Sequence, residues 1–511
     1  MSLRNFIFPL IALGAAATVW AAPDNLVILH TNDTHSTIDP NESDNRGGVA
    51  RRKAVIDSVR AAEPNVLVID AGDVVQGSLY FNLYGGEVEQ KLMNALGYDM
   101  RILGNHEFDN GVDSLAAVLR LAESQLLSTN YDLSESPLAS MFDKYAIRTV
   151  GDRKIGFIAL NLNPAGIVSE GNYDGVVYQD ALEVADHTAW WLKNIEGCDL
   201  VVAITHIGYR PEVPPGDVDI AANSHNIDII IGGHSHDTID PAVPGGLDWR
   251  VTNADGQGVL ITQTGKQGKN IGEITINLDN LSATSRLIPV NSRLDDRLDS
   301  SIDEIIRPYR QGVDSLMNVP VGYTTVELPA TSTELLNLVS DIVYNRGSLL
   351  ANDVDFAIVN KGGLRRDLTK GTITEGEIMT MLPFSNSIVV IDIQGTDLLP
   401  AFKQMAEIGG NGFSDQVRVK YTPDSTDMRK SEIASVTVAG KPLDPNRTYR
   451  VATIDYLAKG GDYMPTLRNN NTIARSTNVF YDDVLDYLRS LKGKNRKLRP
   501  SSTVRFAPIN D

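Results

Sequence analysis

Short apolar runs recur in the first half of the chain and alternate with stretches of helical pattern, and they constrain the fold more than any other feature. They occupy residues 26–30, 66–69, 100–103, 200–204 and 228–231. A strand that is apolar on both sides must be covered on both faces, as in the sheets of α/β proteins. The pattern therefore predicts an α/β region in which helices cover the sheets.

Carboxylate, amide and imidazole side chains follow all five runs at the points where the strands end. They are Asp33 and His35, Asp73, Asn105 and His106, His206, and His234 and His236. Ligands of open α/β sheets bind at the carboxyl ends of the strands. Buried polar groups without partners would cost several kcal/mol of desolvation. Bound divalent metal ions would satisfy these donors together.

The sequence LGNHEFD at residues 103–109 joins the third run to a helix expected to begin near Asn110. One interpretation is structural, with Asp109 or Asn110 capping that helix. The other is chemical, and the recurrence of donors at five strand ends favours it. The remaining histidines are interpreted as structural or exposed; they are His30, His187 and His225.

The candidate ligands contain no cysteine, which excludes a cysteine-bound zinc or iron–sulfur centre. Mixed imidazole, carboxylate and amide ligands favour zinc, manganese or iron over magnesium or calcium. The candidates exceed the needs of one ion, which predicts two ions that share a carboxylate. Such a pair holds a phosphoryl group and activates a bridging water, so hydroxide is the expected nucleophile.

Length and charge set further bounds. The 511 residues predict two or three domains. Residues 1–21 have the pattern of a secretory signal peptide, with Arg4 before a short apolar segment. We therefore expect a periplasmic or extracellular protein without stable membrane insertion.

The chain is strongly acidic. Its formal charge is −19, or −20 without Arg4, which is the single charged residue of the signal peptide. Such acidity disfavours binding to a nucleic acid polymer.

The strand-end residues also carry a family resemblance. The chain resembles the calcineurin-like metallophosphoesterases in Asp33-x-His35, Gly72-Asp73, Gly104-Asn105-His106-Glu107, His206 and Gly233-His234-Ser235-His236. The longer sequences at residues 29–35 and 104–109 resemble the 5′-nucleotidase/UDP-sugar hydrolase family. The resemblance implies a four-layer α/β/β/α metallophosphoesterase sandwich followed by a second, smaller α+β substrate-binding domain.

The resemblance also implies a role for each donor. Asp33, His35 and His236 would hold one ion, although the family often has an amide where this chain has His236. Asn105, His206 and His234 would hold the other ion, and Asp73 would bridge the two. His106 would bind no metal; it would meet the phosphate and stabilise or protonate the leaving oxygen. Asp109 would orient His106 and keep it cationic.

Residues 294–316 carry apolar side chains at three- and four-residue spacing, which is one face of a helix that Pro308 should kink or split. A helix packed within one domain and a connector between two domains are both open, and the resemblance implies the connector. The expected division is a signal peptide at residues 1–21, a catalytic domain at 22–291, a connector at 292–321 and a C-terminal domain at 322–511.

The C-terminal region offers candidate substrate residues, although each also has a structural interpretation as a glycine turn, a buried ring or a solvated loop. The resemblance implies that Phe384 and Tyr456 stack on a base, Asp462 contacts the ribose, and Asn360 and Arg365 contact base or phosphate. Two departures from the family concern the substrate. Tyr463 stands where the family has a glycine after Asp462. Family members also usually have an arginine near the start of this domain, and this chain has none between Arg310 and Arg346.

These observations predict an exported two-metal phosphoric ester hydrolase of nucleotide catabolism, most simply a 5′-nucleotidase. An enzyme acting on UDP-sugars, other nucleotide diphosphates or 2′,3′-cyclic nucleotides is an alternative. A binding protein that keeps the fold without activity is an alternative of another class, and the complete ligand set argues against it. The expected partner is a small nucleotide, and the sequence does not determine the oligomeric state.

Overall fold

The structure is a computed structural model. It describes residues 25–41, 44–211, 213–424, 430–493, 497–498 and 500–509. The expected signal peptide, at residues 1–21, lies outside these described residues. Within them, no helix combines the length and the apolar composition that crossing a membrane requires.

The first region consists of alternating strands and helices, as the apolar runs predicted. Its strands are β1 (Asn25–Thr31), β2 (Val66–Asp70), β3 (Met100–Arg101), β4 (Gln125–Leu126), β5 (Tyr131–Asp132), β6 (Tyr145–Val150), β7 (Arg153–Asn161), β8 (Val177–Tyr178), β9 (Leu200–His206), β10 (Ile229–Ile231), β11 (Thr238–Ile239), β12 (Arg250–Thr252), β13 (Gly258–Thr264), β14 (Asn270–Asn277) and β15 (Ala283–Pro289). Its helices are α1 (Val49–Ala62), α2 (Leu79–Tyr84), α3 (Glu87–Leu96), α4 (Val112–Leu119), α5 (Ala181–Asn194), α6 (Asp217–Asn223) and α7 (Ser300–Met317).

Two sheets pack face to face in this region. One has the strand order β15-β14-β1-β2-β3-β4, and the other has the order β11-β13-β10-β9-β7-β6, with β12 paired to β13. Apolar side chains such as Ile28, Ile69, Phe157 and Val202 fill the space between the sheets. Helices α1, α3 and α7 cover the outer face of the first sheet, and α5 and α6 cover that of the second. The expected α/β/β/α sandwich is confirmed.

Helix α7 is one continuous helix with Pro308 inside it, so of the two expected effects of Pro308, a kink or a split, the split does not occur. Pro308 lies on the exposed side of the helix. Proline has no N–H to donate to the Glu304 carbonyl oxygen, and on this side water can reach that oxygen instead. On the opposite side, Ile302 and Ile306 are buried in the core of the first region. The last turn of α7 contacts the second region, where Met317 lies against Gly376.

The second region has a separate hydrophobic core, formed by residues from Val321 to Leu498. Its strands are β16 (Pro320–Thr324), β17 (Phe356–Val359), β18 (Gly371–Thr374), β19 (Ile388–Gln394), β20 (Gly412–Phe413), β21 (Val417–Thr422), β22 (Glu432–Val438), β23 (Lys441–Pro442), β24 (Thr448–Ile454), β25 (Asn471–Arg475) and β26 (Phe506–Pro508). Its helices are α8 (Thr333–Leu350), α9 (Glu375–Met381), α10 (Gly395–Glu407), α11 (Asp455–Ala458) and α12 (Phe480–Gly493).

A mixed five-stranded sheet with the order β20-β17-β24-β19-β25 is the centre of the second region, and helix α8 packs against it. A four-stranded sheet, β23-β22-β21-β26, lies beside it. The central strands β17, β19 and β24 lie at the apolar sequence runs of residues 356–359, 387–393 and 449–454. The second, smaller α+β domain is therefore confirmed.

Candidate active site

The two sheets of the first region direct their polar strand ends to one place. Parallel strands β1, β2 and β3 end there from one sheet, and parallel strands β9 and β10 end there from the other. Three overlapping groups of side chains could hold a metal ion, and the ligand atoms of each group lie within 4.8 Å of one another. They are Asp33, His35 and His236; Asp73, His206 and His234; and His35, Asp73 and His106.

The first group has its donor atoms at distances that one small cation can bridge. His236 Nε2 lies 3.4 Å from Asp33 Oδ1, and His35 Nε2 lies 3.8 Å from the same oxygen. The two imidazole Nε2 atoms are 2.9 Å apart. Donors bound about 2.0–2.2 Å from one ion are separated by distances of this order.

The second group has similar spacing and contacts the first through Asp73. Asp73 Oδ2 lies 3.1 Å from His206 Nε2 and 4.0 Å from His35 Nε2. Asn105 Oδ1 lies 3.0 Å from His234 Nδ1, which adds the amide to this group. The Asp73 carboxylate therefore lies between the two sets of donors, the position that a shared ligand needs.

The charges of the cluster fit a divalent cation. His206 donates from Nδ1 to the Ala71 carbonyl oxygen at 2.7 Å, and its buried Nε2 faces the Asp73 carboxylate. Although burial opposes a positive charge there, the Asp73 carboxylate raises the pKa of His206 to about 10. The cluster therefore attracts a positive charge at Nε2, and a metal ion that binds His206 would displace this proton. Burial lowers the pKa of His35 to about 3, so this imidazole is neutral, as a metal ligand must be.

Five of the seven candidate metal ligands have a left-handed backbone, which residues other than glycine rarely adopt. They are Asp33 (φ 50°), His35 (φ 46°), Asp73 (φ 55°), His234 (φ 74°) and His236 (φ 60°). Such conformations cost on the order of 1–3 kcal/mol each and concentrate at functional sites. The folded loops therefore hold the backbone of these residues in a conformation that their residue types disfavour.

Glu107 supports the cluster, a role that its position in the 104–109 motif did not by itself indicate. Its buried carboxylate accepts the backbone N–H groups of Asp73 at 3.0 Å, Val74 at 2.8 Å and Gly104 at 2.6 Å. These bonds fix the turn that carries Asp73 to the turn that carries Asn105. A carboxylate directly after the Asn-His pair of the motif was the only signal for this role.

His106 contacts both regions of the protein. Its Nδ1–H donates to Asp109 Oδ2 at 2.9 Å, and Arg365 Nη2 donates to its Nε2 at 3.1 Å. Burial alone would lower the pKa of His106, but Asp109 and Asp73 raise it above the ordinary value. Asp109 bonds to His106 and caps no helix, since α4 begins at Val112 with Gly111 before it; the predicted helix start near Asn110 is therefore two residues early.

A cleft of about 560 Å³ separates the metal-ligand cluster from the second region. Most of the predicted site residues line it; they are Asp73, Asn105, His106, Asp109, His234, His236, Asn360, Arg365, Phe384, Tyr456 and Asp462. The other three, Asp33, His35 and His206, are buried behind this surface. The structure thus brings all the predicted residues to one site.

Aromatic and polar side chains of the second region lie directly opposite the cluster. The Phe384 ring stacks on the His106 ring with 5.8 Å between centroids, and the Arg365 guanidinium lies 5.3 Å from the Phe384 centroid. Tyr456 OH donates to Asp462 Oδ1 at 2.9 Å. Asp462 is itself in a left-handed conformation, with φ 52°.

The first region also supplies a wall of the cleft that the sequence did not indicate. Ile167 and Ser169, in the loop between β7 and β8, line the cleft. The same loop accepts a hydrogen bond at the Glu170 carbonyl oxygen from Lys459 Nζ at 3.1 Å. No motif marks this loop in the sequence, because this contact joins residues 289 positions apart.

Two family models match the chain in the order of its two regions. The calcineurin-like phosphoesterase model matches residues 26–238. The model of the 5′-nucleotidase C-terminal domain matches residues 318–469. The candidate metal ligands all lie within the first match.

Known relatives extend over nearly the whole chain. A 5′-nucleotidase from Bos taurus is 28% identical and aligns with 94% of this chain and 91% of its own length. A trifunctional nucleotide phosphoesterase from Bacillus subtilis is 26% identical over 95% of this chain, which spans 35% of that protein.

A solved structure agrees with these relatives. The 5′-nucleotidase precursor from Thermus thermophilus is 29% identical and superposes with a TM-score of 0.82, covering 95% of this chain and all of the other. Family models, relatives and fold identify both regions in the same order. The chain therefore belongs to the calcineurin-like phosphoesterases that carry a 5′-nucleotidase C-terminal domain, which are metal-dependent phosphoester hydrolases.

Proposed function

We propose that the protein is a 5′-nucleotidase that uses two divalent metal ions to release phosphate from nucleoside monophosphates. One observation carries the proposal: a single cleft is lined by metal donors on one side and by an arginine, aromatic rings and a carboxylate on the other. In this proposal residues 22–291 supply the chemistry, residues 322–511 bind the nucleoside, and residues 292–321 connect them.

Seven residues of the first region would hold the metal ions. Asp33, His35 and His236 would bind one ion, Asn105, His206 and His234 the other, and Asp73 both. Imidazole, carboxylate and amide ligands favour zinc, manganese or a similar ion. When bound, the ions would supply Lewis-acid activation of the phosphate and of the attacking water.

Arg365 would bind the phosphate, and His106 would protonate the leaving oxygen. The bond from Arg365 to His106 Nε2 requires that Nε2 carries no proton, so the imidazole proton is then on Nδ1, facing Asp109. A phosphate that enters the cleft offers Arg365 a stronger, charged acceptor. His106 Nε2 is then free to take up a proton from the solvent, which its raised pKa favours, and to give this proton to the leaving oxygen of the nucleoside.

The other side of the cleft would hold the nucleoside. Phe384 and Tyr456 present aromatic rings, on which any nucleobase can stack. Asp462 would accept hydrogen bonds from the ribose hydroxyls, and Asn360 hydrogen bonds to Asp462 and so would position it. We also propose that the enzyme is exported, in keeping with the sequence pattern of residues 1–21.

A phosphate-release assay tests this function directly. Purified protein supplied with manganese or zinc should release phosphate from nucleoside 5′-monophosphates faster than from ribose 5-phosphate, and a chelator should abolish the activity. Nucleoside diphosphates, cyclic nucleotides and UDP-sugars complete the panel. Equal rates on nucleotides and on ribose 5-phosphate would rule out a nucleotidase.

The aromatic side chains should determine nucleotide preference and not the chemistry. Phe384→Ala or Tyr456→Ala should lower kcat/KM for nucleotides about 5- to 150-fold, since a stacking contact contributes about 1–3 kcal/mol. Activity on p-nitrophenyl phosphate should fall far less. Tyr323→Ala is a matched control, because Tyr323 is 44% exposed and lies outside the cleft lining.

Equal losses on both substrates would mean that Phe384 and Tyr456 support the fold instead of the nucleoside. For Phe384 this outcome has a specific physical cause, since its ring stacks on His106. Comparing the two variants separates the explanations, because Tyr456 has no such ring contact with His106 among the described residues.

A second candidate is hydrolysis of UDP-sugars or cyclic nucleotides by the same site. The Bacillus subtilis relative, named a trifunctional nucleotide phosphoesterase, favours it. The family usually supplies an arginine near the start of this region, but this chain has none between Arg310 and Arg346, and Thr331 lines the cleft there. The same substrate panel decides between the two candidates.

A further inference from the structure

Two asparagines face each other where an antiparallel strand pair opens into the cleft. Strands β17 and β20 pair through Ile358 with Phe413 and Val359 with Gly412. The next position on each side is Asn360 and Asn411, and both line the cleft. The two residues are 6% and 5% exposed. Asn360 was expected from the sequence; Asn411 was not.

The orientation of the Asn411 amide is fixed by a backbone bond. Its Oδ1 accepts the N–H of Lys361 at 3.1 Å. The two ends of an asparagine amide are assigned from their hydrogen bonds, and this acceptor role leaves Nδ2 as the opposite end. Asn411 Nδ2 is buried and has no partner among the described residues.

An unpaired buried amide donor calls for an explanation, because burying a polar group without a hydrogen-bond partner is unfavourable. Asn360 differs, since it hydrogen bonds to Asp462 within the protein. Asn411 therefore has an unpaired N–H donor on the wall of the cleft. The Phe384 and Tyr456 rings line the same cleft. A planar ligand held between those rings would present its edge to the surrounding polar groups.

We propose that Asn411 determines substrate specificity by donating a hydrogen bond from Nδ2 to an acceptor atom on the nucleobase. The inference rests on the proposed nucleotidase function and narrows it. Every natural nucleobase offers a ring nitrogen or a carbonyl oxygen as acceptor, so this bond favours nucleotides over phosphate esters that have no base. Phosphate esters without a base cannot make the bond.

Asn411→Asp is the sharpest test, because it changes one end of the side chain. The carboxylate can still accept the Lys361 N–H, so the backbone contact is kept, but an acceptor replaces the donor at Nδ2. We expect kcat/KM for nucleoside monophosphates to fall about tenfold, through a rise in KM. Activity on ribose 5-phosphate should be unchanged. Asn411→Ala should give a fall of about three- to tenfold on nucleotides.

Asn352→Asp is the matched control, since it makes the same chemical change at an exposed position outside the cleft. Wild-type nucleotide activity for Asn411→Asp would overturn the proposal. Equal losses on nucleotides and on ribose 5-phosphate would overturn it too, by making Asn411 a support for the Lys361 loop.

The substrate preference of the wild-type protein tests the proposed function separately from the role of Asn411. If wild type cleaves ribose 5-phosphate as fast as nucleotides, the nucleotidase assignment and the role of Asn411 both fail. If wild type prefers nucleotides and Asn411→Asp keeps that preference, only the role of Asn411 fails.

Discussion

Asp73→Asn should lose most of its bound metal and at least about 10²- to 10³-fold of its kcat, the loss that removing one preorganised electrostatic group produces. Asp73 Oδ2 lies between His206 and His35, and Oδ1 accepts the His106 backbone N–H at 2.9 Å. Asparagine keeps the size of the side chain but offers one neutral oxygen and an amide that repels cations. The two ions would therefore lose their shared ligand.

Elemental analysis of the purified variant measures the metal, and phosphate release measures the activity. Asp57→Asn is a suitable control, because Asp57 is an exposed partner of Lys53 on helix α1. Circular dichroism should show both variants folded. Near-normal turnover and metal content in Asp73→Asn would show that Asp73 does not bridge two ions.

The sequence was sufficient to predict the layers of the first region and the donors at its strand ends. Apolar runs without alternation identify strands buried on both faces, and polar residues after such runs mark the edge where ligands bind. The left-handed backbone at Asp33, Asp73 and His234 could not be predicted, because it goes against the preference of the residue types themselves. Only the folded loops impose it.

The contacts across the cleft were beyond prediction for a different reason. Residue types and a resemblance named Arg365 and Phe384, but nothing in the sequence indicated that both contact His106. Such contacts depend on how two regions with separate cores pack together. Neither Asn411 nor the loop at Ile167 was predicted to belong to the site. Their residue types are common ones, and they gain a role only from their position in the cleft.

His106→Ala should retain bound metal and lose about 10²- to 10⁴-fold of kcat on nucleotides, the range for general acid catalysis and charge stabilisation. His106 belongs to one possible metal group, with His35 and Asp73. However, its Nδ1 bonds to Asp109 and its Nε2 accepts from Arg365, so both nitrogens are already used by other side chains. Loss of metal from this variant would make His106 a ligand.

A choice of leaving group separates the two ways in which His106 could act. A nucleoside alkoxide is a poor leaving group that needs a proton, whereas p-nitrophenolate leaves without one. If His106 gives its proton to the leaving oxygen, His106→Ala should lose far more activity on nucleotides than on p-nitrophenyl phosphate. Equal losses would mean that His106 holds the phosphate and moves no proton. His187→Ala is the control, because His187 is exposed on helix α5 and lies outside the cleft lining.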